Sequence, residues 1–233
     1  PDSAWLTWTE PTSAGSDRSQ LRLAAVSGGE PINAQAIGNL PANCMVIAAD
    51  SGVQLAPALG LDISVVIGDM DSIEATALKA LKALGTIVVQ HAVDKNESDA
   101  ELALHYAASL GATRLIVISG GGGRLDHQLA LFAVMFLDSL QGTRLEVRLG
   151  CSRAYPVRAG ETVAVDCAAG DVIGLIPFGG DAHGVTTSNL HWPLHDESLI
   201  AAASRGISNR AMSDEFSVTV TSGRLIVTVD ASV

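Results

Sequence analysis

Two acidic segments and one glycine-rich segment carry the side chains that could do chemistry. The acidic segments are residues 68–72 (GDMDS) and 94–99 (DKNESD), and the glycine-rich segment is residues 120–127 (GGGGRLDH). Clustered carboxylates repel by roughly 4 kcal/mol per pair at about 4 Å in a surface-like dielectric, so they need a cation, shared protons or distance. Oxygen ligands suit Mg²⁺, which usually binds one or two carboxylates together with substrate phosphates. Because a glycine-rich turn with an arginine is a natural phosphate partner, the three segments indicate metal-assisted phosphoryl transfer.

The first acidic segment contains the carboxylate pair on which this interpretation depends. Asp69 and Asp71 are two positions apart, which places both side chains on one face of an extended segment. Gly68 before them permits an unusual backbone angle or the close approach of a ligand. The alternative is a solvated turn at the end of a strand. Asp50, after another apolar run, is either a further acid or only the cap of the next helix. Asp94 and Asp99 of the second segment are weak signals separately, but together with Asp69 and Asp71 they could form an acidic bowl.

The glycine-rich segment has neither the G-x-G-x-x-G spacing of a dinucleotide site nor the G-K-[S/T] ending of a P-loop. The residues directly after the glycines make this segment a candidate phosphate site, because Arg124 could hold a phosphate through two parallel hydrogen bonds. Asp126 could orient that arginine or hold a metal-bound water. His127 is either a catalytic group or only a polar residue on the surface of a helix. A phosphate contact is therefore a better interpretation than a nicotinamide site.

Apolar runs alternate with helical patterns through residues 21–150. Strands are expected at residues 21–26, 44–49, 64–67, 86–90, 115–119 and 145–149, and helices at 53–59, 73–84, 99–110 and 125–140. This alternation predicts a parallel sheet with helices on both faces. Ligands of such sheets bind at the carboxyl ends of the strands, and the first acidic pair and the glycines directly follow predicted strands. Their placement supports a functional role.

The pattern changes after Gly150, where Thr/Val alternation and turn signals begin. Strands are expected at residues 161–167, 171–177, 216–221 and 224–229, a helix at 196–203, and a hairpin turn at Ser222-Gly223. These features predict an antiparallel β domain. The expected organisation is a mobile N-terminal tail at 1–20, an α/β domain at 21–150 and the β domain at 151–233.

Composition excludes several classes of function. The chain has 233 residues, of which 48% are hydrophobic and 17% charged, an ordinary globular composition. Its formal net charge is −11 without a dense Lys/Arg run, so we expect no nucleic-acid partner. Three cysteines without a C-x-x-C pair argue against a disulfide framework or zinc site and favour the cytoplasm. We expect no membrane span, because no apolar run reaches about 18 residues, and no signal peptide in residues 1–20.

Three residues of the second half have ordinary interpretations when each is taken alone. Trp192 fits a core residue better than a platform for a ligand. Ser208 and Asn209, which follow Gly206, fit turn chemistry. They gain meaning only in combination with the other segments.

Six segments, taken in order, resemble the thiamin pyrophosphokinase family, whose members are also called thiamine diphosphokinases. The segments are residues 49–52 (ADSG), 68–73 (GDMDSI), 96–104 (NESDAELAL), 122–127 (GGRLDH), 190–194 (LHWPL) and 206–209 (GISN). The resemblance covers about residues 22–229. It implies an N-terminal Rossmann-like parallel-sheet domain that binds ATP and a C-terminal antiparallel β-sandwich domain that binds thiamin. It also implies a homodimer with active sites between the subunits.

The implied reaction transfers pyrophosphate from ATP to the thiamin hydroxyl and gives thiamin diphosphate and AMP, with Mg²⁺ as the cofactor. The resemblance assigns the metal and the attacking hydroxyl to three acids, Asp69, Asp71 and Asp99. It places the ATP beside Asp50, Gly122, Gly123, Arg124, Asp126 and His127. It places thiamin beside Ser208, Asn209 and Trp192, the last from the neighbouring subunit. An indole face suits a cationic thiazolium.

The chain departs from the family's usual pattern at three positions. Asn96 stands where aspartate is usual, Ser51 where glycine is usual, and Leu131 where asparagine is frequent. Because Asn96 removes a negative charge, it supports a second hypothesis, a binding or regulatory protein on the same scaffold with weak or no catalysis. A third hypothesis, a nicotinamide-type oxidoreductase, leaves the pair of Asp69 and Asp71 unexplained. Analysis of the products formed from ATP, Mg²⁺ and thiamin separates the three.

Overall fold

One sheet of ten strands runs through both halves of the part of the chain that the structure describes. The computed structural model describes residues 22–27, 32, 38, 40 and 44–232, so the expected N-terminal tail lies outside it. The first six strands are β1 Arg22–Val26, β2 Met45–Ala49, β3 Val65–Gly68, β4 Ile87–Gln90, β5 Arg114–Ser119 and β6 Arg144–Leu149. They lie in the order β6-β5-β1-β2-β3-β4, and each neighbouring pair is parallel. The predicted parallel sheet is therefore confirmed.

Helices cover both faces of these parallel strands. Among the described residues they are α1 Gly52–Ala58, α2 Ala75–Ala83, α3 Asp99–Ser109 and α4 Leu125–Val134. Ile47 and Ile67 pack in the apolar cluster that contains α3 and α4, whereas Val46 and Ile118 pack in the cluster that contains α1. Both faces of the strands are thus apolar because both are covered. No helix in this part of the chain is long and apolar enough to cross a membrane.

The second half contributes eight antiparallel strands. They are β7 Ser152–Arg158, β8 Thr162–Asp166, β9 Val172–Pro177, β10 Ala182–Ser188, β11 Glu197–Leu199, β12 Asn209–Arg210, β13 Glu215–Thr219 and β14 Arg224–Asp230. β7 pairs antiparallel with β6 and extends the first sheet through β14 and β9 to β12. The other four form a separate sheet in the order β11-β10-β13-β8. Phe216 of that sheet shares a buried cluster with Leu175 and Val227 of the first, as expected for a β-sandwich.

Two predicted helices differ from the structure. The helix predicted over residues 196–203 is wrong, because Asp196 has a left-handed φ of 57° and the following residues pair with β10 as strand β11. The helix predicted over residues 125–140 ends at Val134, and a separate 3-10 turn follows at Asp138–Leu140. Leu137 between them has the extended angles φ −55° and ψ 135°, which break the helix.

The predicted hairpin at Ser222-Gly223 is also wrong. β13 before it pairs with β8 and β10, whereas β14 after it pairs with β7 and β9. The two residues therefore carry the chain from one sheet to the other. The sequence pattern missed β7, which contains Pro156. Proline is tolerated there because the described pairing with β6 ends at Ala154, so the missing N–H costs no bond to that strand.

An aromatic cluster joins the two halves at the end of α4. Phe136 is buried and stacks on Phe178 with ring centroids 5.5 Å apart. The guanidinium groups of Arg158 and Arg224 lie 5.7 and 5.5 Å from the centre of the Phe136 ring. Arg158 also donates hydrogen bonds to the carbonyl oxygens of Met135 and Leu137, at 2.9 and 3.2 Å. Strand β7 thereby satisfies carbonyl groups just beyond α4.

Phe136→Ala should reduce the free energy of unfolding by about 3 to 5 kcal/mol, because it removes a buried ring and leaves a cavity. Urea denaturation followed by circular dichroism measures this change. The matched control is Leu84→Ala, whose side chain is 84% exposed, and it should change stability by no more than about 0.5 kcal/mol. Equal losses in the two variants would show that Phe136 does not support the junction.

Candidate active site at the carboxyl ends of the parallel strands

The side chains predicted to do chemistry follow neighbouring strands at one edge of the sheet. Ser27 follows β1, Asp50 follows β2, Asp69 follows β3, and the glycine-rich segment follows β5. These strands are adjacent and parallel in the order β5-β1-β2-β3, so their carboxyl ends meet. This is the edge at which open α/β sheets bind ligands.

Three carboxylates converge at this edge. One oxygen atom each from Asp50, Asp69 and Asp71 lies within 4.8 Å of the others. Asp50 and Met70 have left-handed φ angles of 44° and 70°, which turn the chain sharply after β2 and β3. The backbone N–H of Asp71 donates to Asp69 Oδ1 at 3.1 Å, and the hydroxyl of Ser72 donates to Asp50 Oδ1. We call Asp50, Asp69 and Asp71 the acidic cluster.

The members of the acidic cluster influence one another's ionisation. The hydrogen bond from the backbone N–H of Asp71 lowers the pKa of Asp69, and the ammonium of Lys95 lowers it further. The neighbouring Asp69 carboxylate raises the pKa of Asp71, and Asp50 and Asp99 add to that effect. A lowered pKa for Asp69 and a raised pKa for Asp71 are expected when one carboxylate has the hydrogen-bond donors and its neighbour faces mainly negative charge. The sequence suggested an acidic bowl of Asp69, Asp71, Asp94 and Asp99. The structure brings the first two together with Asp50 instead, and Asp94 is exposed and is not in the cluster.

Lys95 and Asp99 lie beside the acidic cluster. Lys95 Nζ is 3.3 Å from Asp69 Oδ2 and 3.0 Å from Asp99 Oδ1. The contact with Asp99 is an ion pair by distance but lacks the angles of a hydrogen bond, and no other described residue donates a hydrogen bond to that buried oxygen. Burial alone would lower the pKa of Lys95, but its pairs with Asp99 and Asp69 outweigh burial and raise that pKa. Sequence reasoning missed Lys95, although its spacing of four residues from Asp99 was a signal.

Two glycines allow this edge to close tightly. At Gly68, which has a φ of 145°, a Cβ atom would lie 3.1 Å from Asp99 Oδ1 and 3.5 Å from the Asp50 Cβ. At Gly52, a Cβ atom would lie 2.0 Å from the carbonyl oxygen of Val26, so only glycine fits between α1 and β1. The departure at Ser51 therefore leaves the sterically essential glycine in place.

A cavity of about 350 Å³ lies between the acidic edge and the glycine-rich segment. Five of the predicted ATP-site residues line it: Asp50, Gly122, Gly123, Arg124 and His127. Asp99 lines it as well, together with Ser27, Ser51 and Leu131. Leu131 is buried against the core, so the departure from asparagine makes this wall more apolar. Asp69 and Asp71 do not line the cavity, but an oxygen of each lies within 4.8 Å of an oxygen of Asp50, which does.

Arg124 and Asp126 form a two-bond pair at the start of α4. Arg124 Nε donates to Asp126 Oδ1 at 3.1 Å, and its Nη2 donates to Asp126 Oδ2 at 2.6 Å. Asp126 raises the pKa of Arg124, and Arg124 lowers the pKa of Asp126. The structure therefore favours orientation of the arginine over the alternative role predicted for Asp126. The N–H of His127 also donates to Asp126 Oδ1, at 3.0 Å.

Trp192 presents its side chain to solvent rather than to the core. It is 56% exposed, and its ring meets that of His191 edge-on with centroids 4.6 Å apart. The amide of buried Asn209 accepts from the Trp192 N–H at 3.0 Å and donates to the Trp192 carbonyl at 2.8 Å. Ser208 adopts a left-handed φ of 59°, as its turn chemistry suggests. Ile207 and Met212 are also exposed, and with Trp192 we call these three the tryptophan surface.

The tryptophan surface contributes no residue to the described lining of the 350 Å³ cavity. Trp192, Ser208 and Asn209 are close to one another but belong to the β-sandwich half. The predicted site residues therefore fall into two groups, one at the sheet edge and one around Trp192.

Comparison with known families gives matches over both halves. Residues 39–147 match the thiamin pyrophosphokinase catalytic domain, and residues 162–227 match the thiamin pyrophosphokinase vitamin B1 binding domain. Together the two matches cover about three quarters of the chain. A search of curated proteins found no match.

Solved structures of the same family have a similar fold. The thiamine pyrophosphokinase from Bacillus subtilis is 21% identical, with a TM-score of 0.78, over 91% of this chain and 100% of that one. The thiamin pyrophosphokinase from Candida albicans is 11% identical, with a TM-score of 0.78, over 92% and 90%. A family protein from Enterococcus faecalis is 19% identical, with a TM-score of 0.76, over 91% and 100%. The two domain matches and the two-part fold lead to one conclusion: the chain belongs to the thiamin pyrophosphokinase family, a family of thiamine diphosphokinase enzymes.

Proposed function

We propose that this protein transfers pyrophosphate from ATP to the hydroxyl of thiamin, which gives thiamin diphosphate and AMP, with Mg²⁺ as its cofactor. The observation that carries this proposal is the convergence of Asp50, Asp69 and Asp71 within 4.8 Å beside a cavity lined by a glycine-rich segment and Arg124. Family membership supplies the acceptor, because residues 162–227 match a vitamin B1 binding domain.

The acidic cluster suits a hard divalent cation. It offers three carboxylate oxygens at close range, and Lys95 is the one basic side chain that an ion pair joins to it among the described residues. Mg²⁺ prefers oxygen ligands and keeps sites open for water and substrate phosphates. We assign the metal to Asp50, Asp69 and Asp71. Asp99, expected as a further ligand, is not among the three carboxylates that lie within 4.8 Å of one another, and we place it beside the metal instead.

The metal would neutralise charge on the phosphates while pyrophosphate is transferred. The thiamin hydroxyl oxygen forms a bond to the β-phosphorus of ATP and its proton is released to solvent. The bond from that phosphorus to the oxygen shared with the α-phosphorus breaks, and AMP leaves with that oxygen. Acids at the sheet edge orient the hydroxyl for this displacement. Arg124, fixed by two bonds to Asp126, keeps further N–H groups for the phosphates. The residues thus provide positioning and charge, on which phosphoryl transfer mainly depends.

Thiamin binding is assigned to the tryptophan surface. An exposed indole can cover a cationic thiazolium, and the acidic edge provides a complementary potential. Because the tryptophan surface lies outside the described cavity lining, we propose that a second copy of the chain brings Trp192 to the acidic cluster. The active unit is then a homodimer. We also propose that it acts in the cytoplasm. Asn209 supports this role indirectly, since both ends of its amide bind the backbone of Trp192.

Product analysis tests the proposed function. The purified protein with ATP, Mg²⁺ and thiamin should form AMP and thiamin diphosphate in equal amounts, and removal of Mg²⁺ with a chelator should stop both. Binding of thiamin and ATP without turnover would instead favour the regulatory alternative, which Asn96 supports through its lost charge. Asn96 is exposed, outside the acidic cluster, so we expect catalysis despite that departure.

Asp71→Asn should lower kcat at least about a hundredfold, because loss of one carboxylate weakens the stabilisation of transition-state charge by several kcal/mol. Steady-state kinetics and the thermal midpoint are measured on the same preparation. Asp62→Asn, an exposed change just before β3, is the matched control and should retain activity. Normal turnover by a folded Asp71→Asn protein would contradict the metal assignment.

Arg124→Lys should weaken ATP binding or lower kcat by at least about tenfold, because lysine cannot form a planar two-bond contact with phosphate. Titration with ATP and turnover are followed in parallel. Arg144→Lys at the opposite end of the sheet serves as the control. If neither quantity changes by more than about twofold, Arg124 is not a phosphate ligand.

Trp192→Ala should weaken thiamin binding roughly thirtyfold while ATP binding changes little, because a desolvated cation–π contact is worth about 2 kcal/mol. Calorimetric titration with each substrate measures the difference. The dimeric site is then tested by mixing Trp192→Ala chains with Asp71→Asn chains, at a thiamin concentration too low for either alone to turn over. Heterodimers contain one intact site and should regain activity. Chains that demonstrably exchange but stay inactive would place both residues in the same-chain site.

A further inference from the structure

Lys95 occupies an unusual position for a basic side chain at a cation site. Its Nζ lies 3.3 Å from Asp69 Oδ2 and 3.0 Å from Asp99 Oδ1, and its side chain is only 12% exposed. Asp69, one of the proposed metal ligands, is equally enclosed, with 12% of its side chain exposed. The ammonium therefore competes directly for an oxygen of a residue in the acidic cluster.

The charges around Lys95 are unbalanced. Asp50, Asp69, Asp71 and Asp99 bring four carboxylates to this edge, whereas Arg124 is paired with Asp126. Within the described part of the chain, Lys95 is the one basic group in an ion pair with these acids. Removal of its charge would leave the cluster more negative and more attractive to a divalent cation.

The local backbone holds Lys95 in place while its side chain stays adaptable. The N–H of Lys95 donates to the carbonyl of Val93 at 3.1 Å, and Ser98 caps α3 three residues later by accepting from the Glu101 N–H. The connection between β4 and α3 is thus anchored on both sides of Lys95. A lysine ammonium is a compact charge on a flexible stem, so it can yield an oxygen to a stronger cation without movement of the backbone.

We propose that Lys95 is a positioning residue that serves as the built-in counter-ion of the acidic cluster and weakens divalent-cation binding until substrate phosphates arrive. In the nucleotide-free protein its ammonium neutralises Asp69 and Asp99 and repels a second cation. Phosphates add negative charge at the same edge, and the lysine and the metal can then be held together. This inference rests on the proposed function, because the metal and the phosphates belong to it.

Metal binding to the nucleotide-free protein tests this role without turnover. Mn²⁺ is titrated calorimetrically into the wild type and into Lys95→Met, which keeps the length of the side chain but removes its charge. The dissociation constant for Mn²⁺ should fall at least about tenfold in Lys95→Met and stay within about threefold of wild type in Lys95→Arg. Lys82→Met removes an equal charge from exposed α2 and should change the constant by less than about twofold.

The outcomes separate a counter-ion from a merely structural ion pair. Unchanged or weaker Mn²⁺ binding by folded Lys95→Met would overturn the proposal, whatever the thermal midpoint of the variant. If Lys95→Met does not fold, Lys95→Gln is titrated in its place, with the same expectation and the same overturning result. Tighter Mn²⁺ binding without formation of thiamin diphosphate would retain the counter-ion and reject the proposed reaction. Formation of thiamin diphosphate with unaltered Mn²⁺ binding in Lys95→Met would retain the proposed reaction and reject the counter-ion.

Discussion

Mutual repulsion among carboxylates is the constraint on which the rest of the site depends. Asp50, Asp69 and Asp71 are held within 4.8 Å of one another, which is unfavourable unless the backbone enforces it and positive charge relieves it. Parallel pairing of β2 with β3 brings their carboxyl ends together, and left-handed φ angles at Asp50 and Met70 turn the chain sharply there. The backbone N–H of Asp71 and the ammonium of Lys95 relieve part of the repulsion. The remaining negative charge is the basis of the metal site proposed at this edge.

The two halves of the chain contribute different chemistry to the proposed reaction. The parallel half gathers oxygen ligands and a cavity at the ends of its strands, as doubly wound sheets commonly do. The β-sandwich half presents an exposed indole whose backbone is held by a buried amide. A backbone that is held in place under an exposed ring favours recognition, because less backbone freedom is lost on binding. Charge handling and recognition of the organic cation are thus assigned to separate elements.

Much of the parallel half could be predicted from the sequence, because its strands are short apolar runs followed by glycine or aspartate. β2, β3 and β5 have buried runs that only a sheet covered on both faces requires. β11 and β7 were missed because pairing with neighbouring strands, and not their own sequence pattern, determines them. β11 pairs with β10 along only a few residues, and β7 contains Pro156. The acidic pair was readable from its spacing. The contact of Lys95 with Asp69 and the clamp from Asn209 to Trp192 were not, because each depends on where a connection returns in space.

The continuous sheet limits how this molecule can move. β6 and β7 are hydrogen-bonded neighbours joined by only Gly150 and Cys151, so the ladder passes from one half to the other without a flexible linker. A hinge between the halves would have to break that ladder and the stacking of Phe136 on Phe178. Opening and closing around a ligand is therefore left to the segments that follow the strands, such as the glycine-rich one. In mechanical terms the protein is one stiff sheet with adaptable loops at the ends of its strands, and not two domains that close on each other.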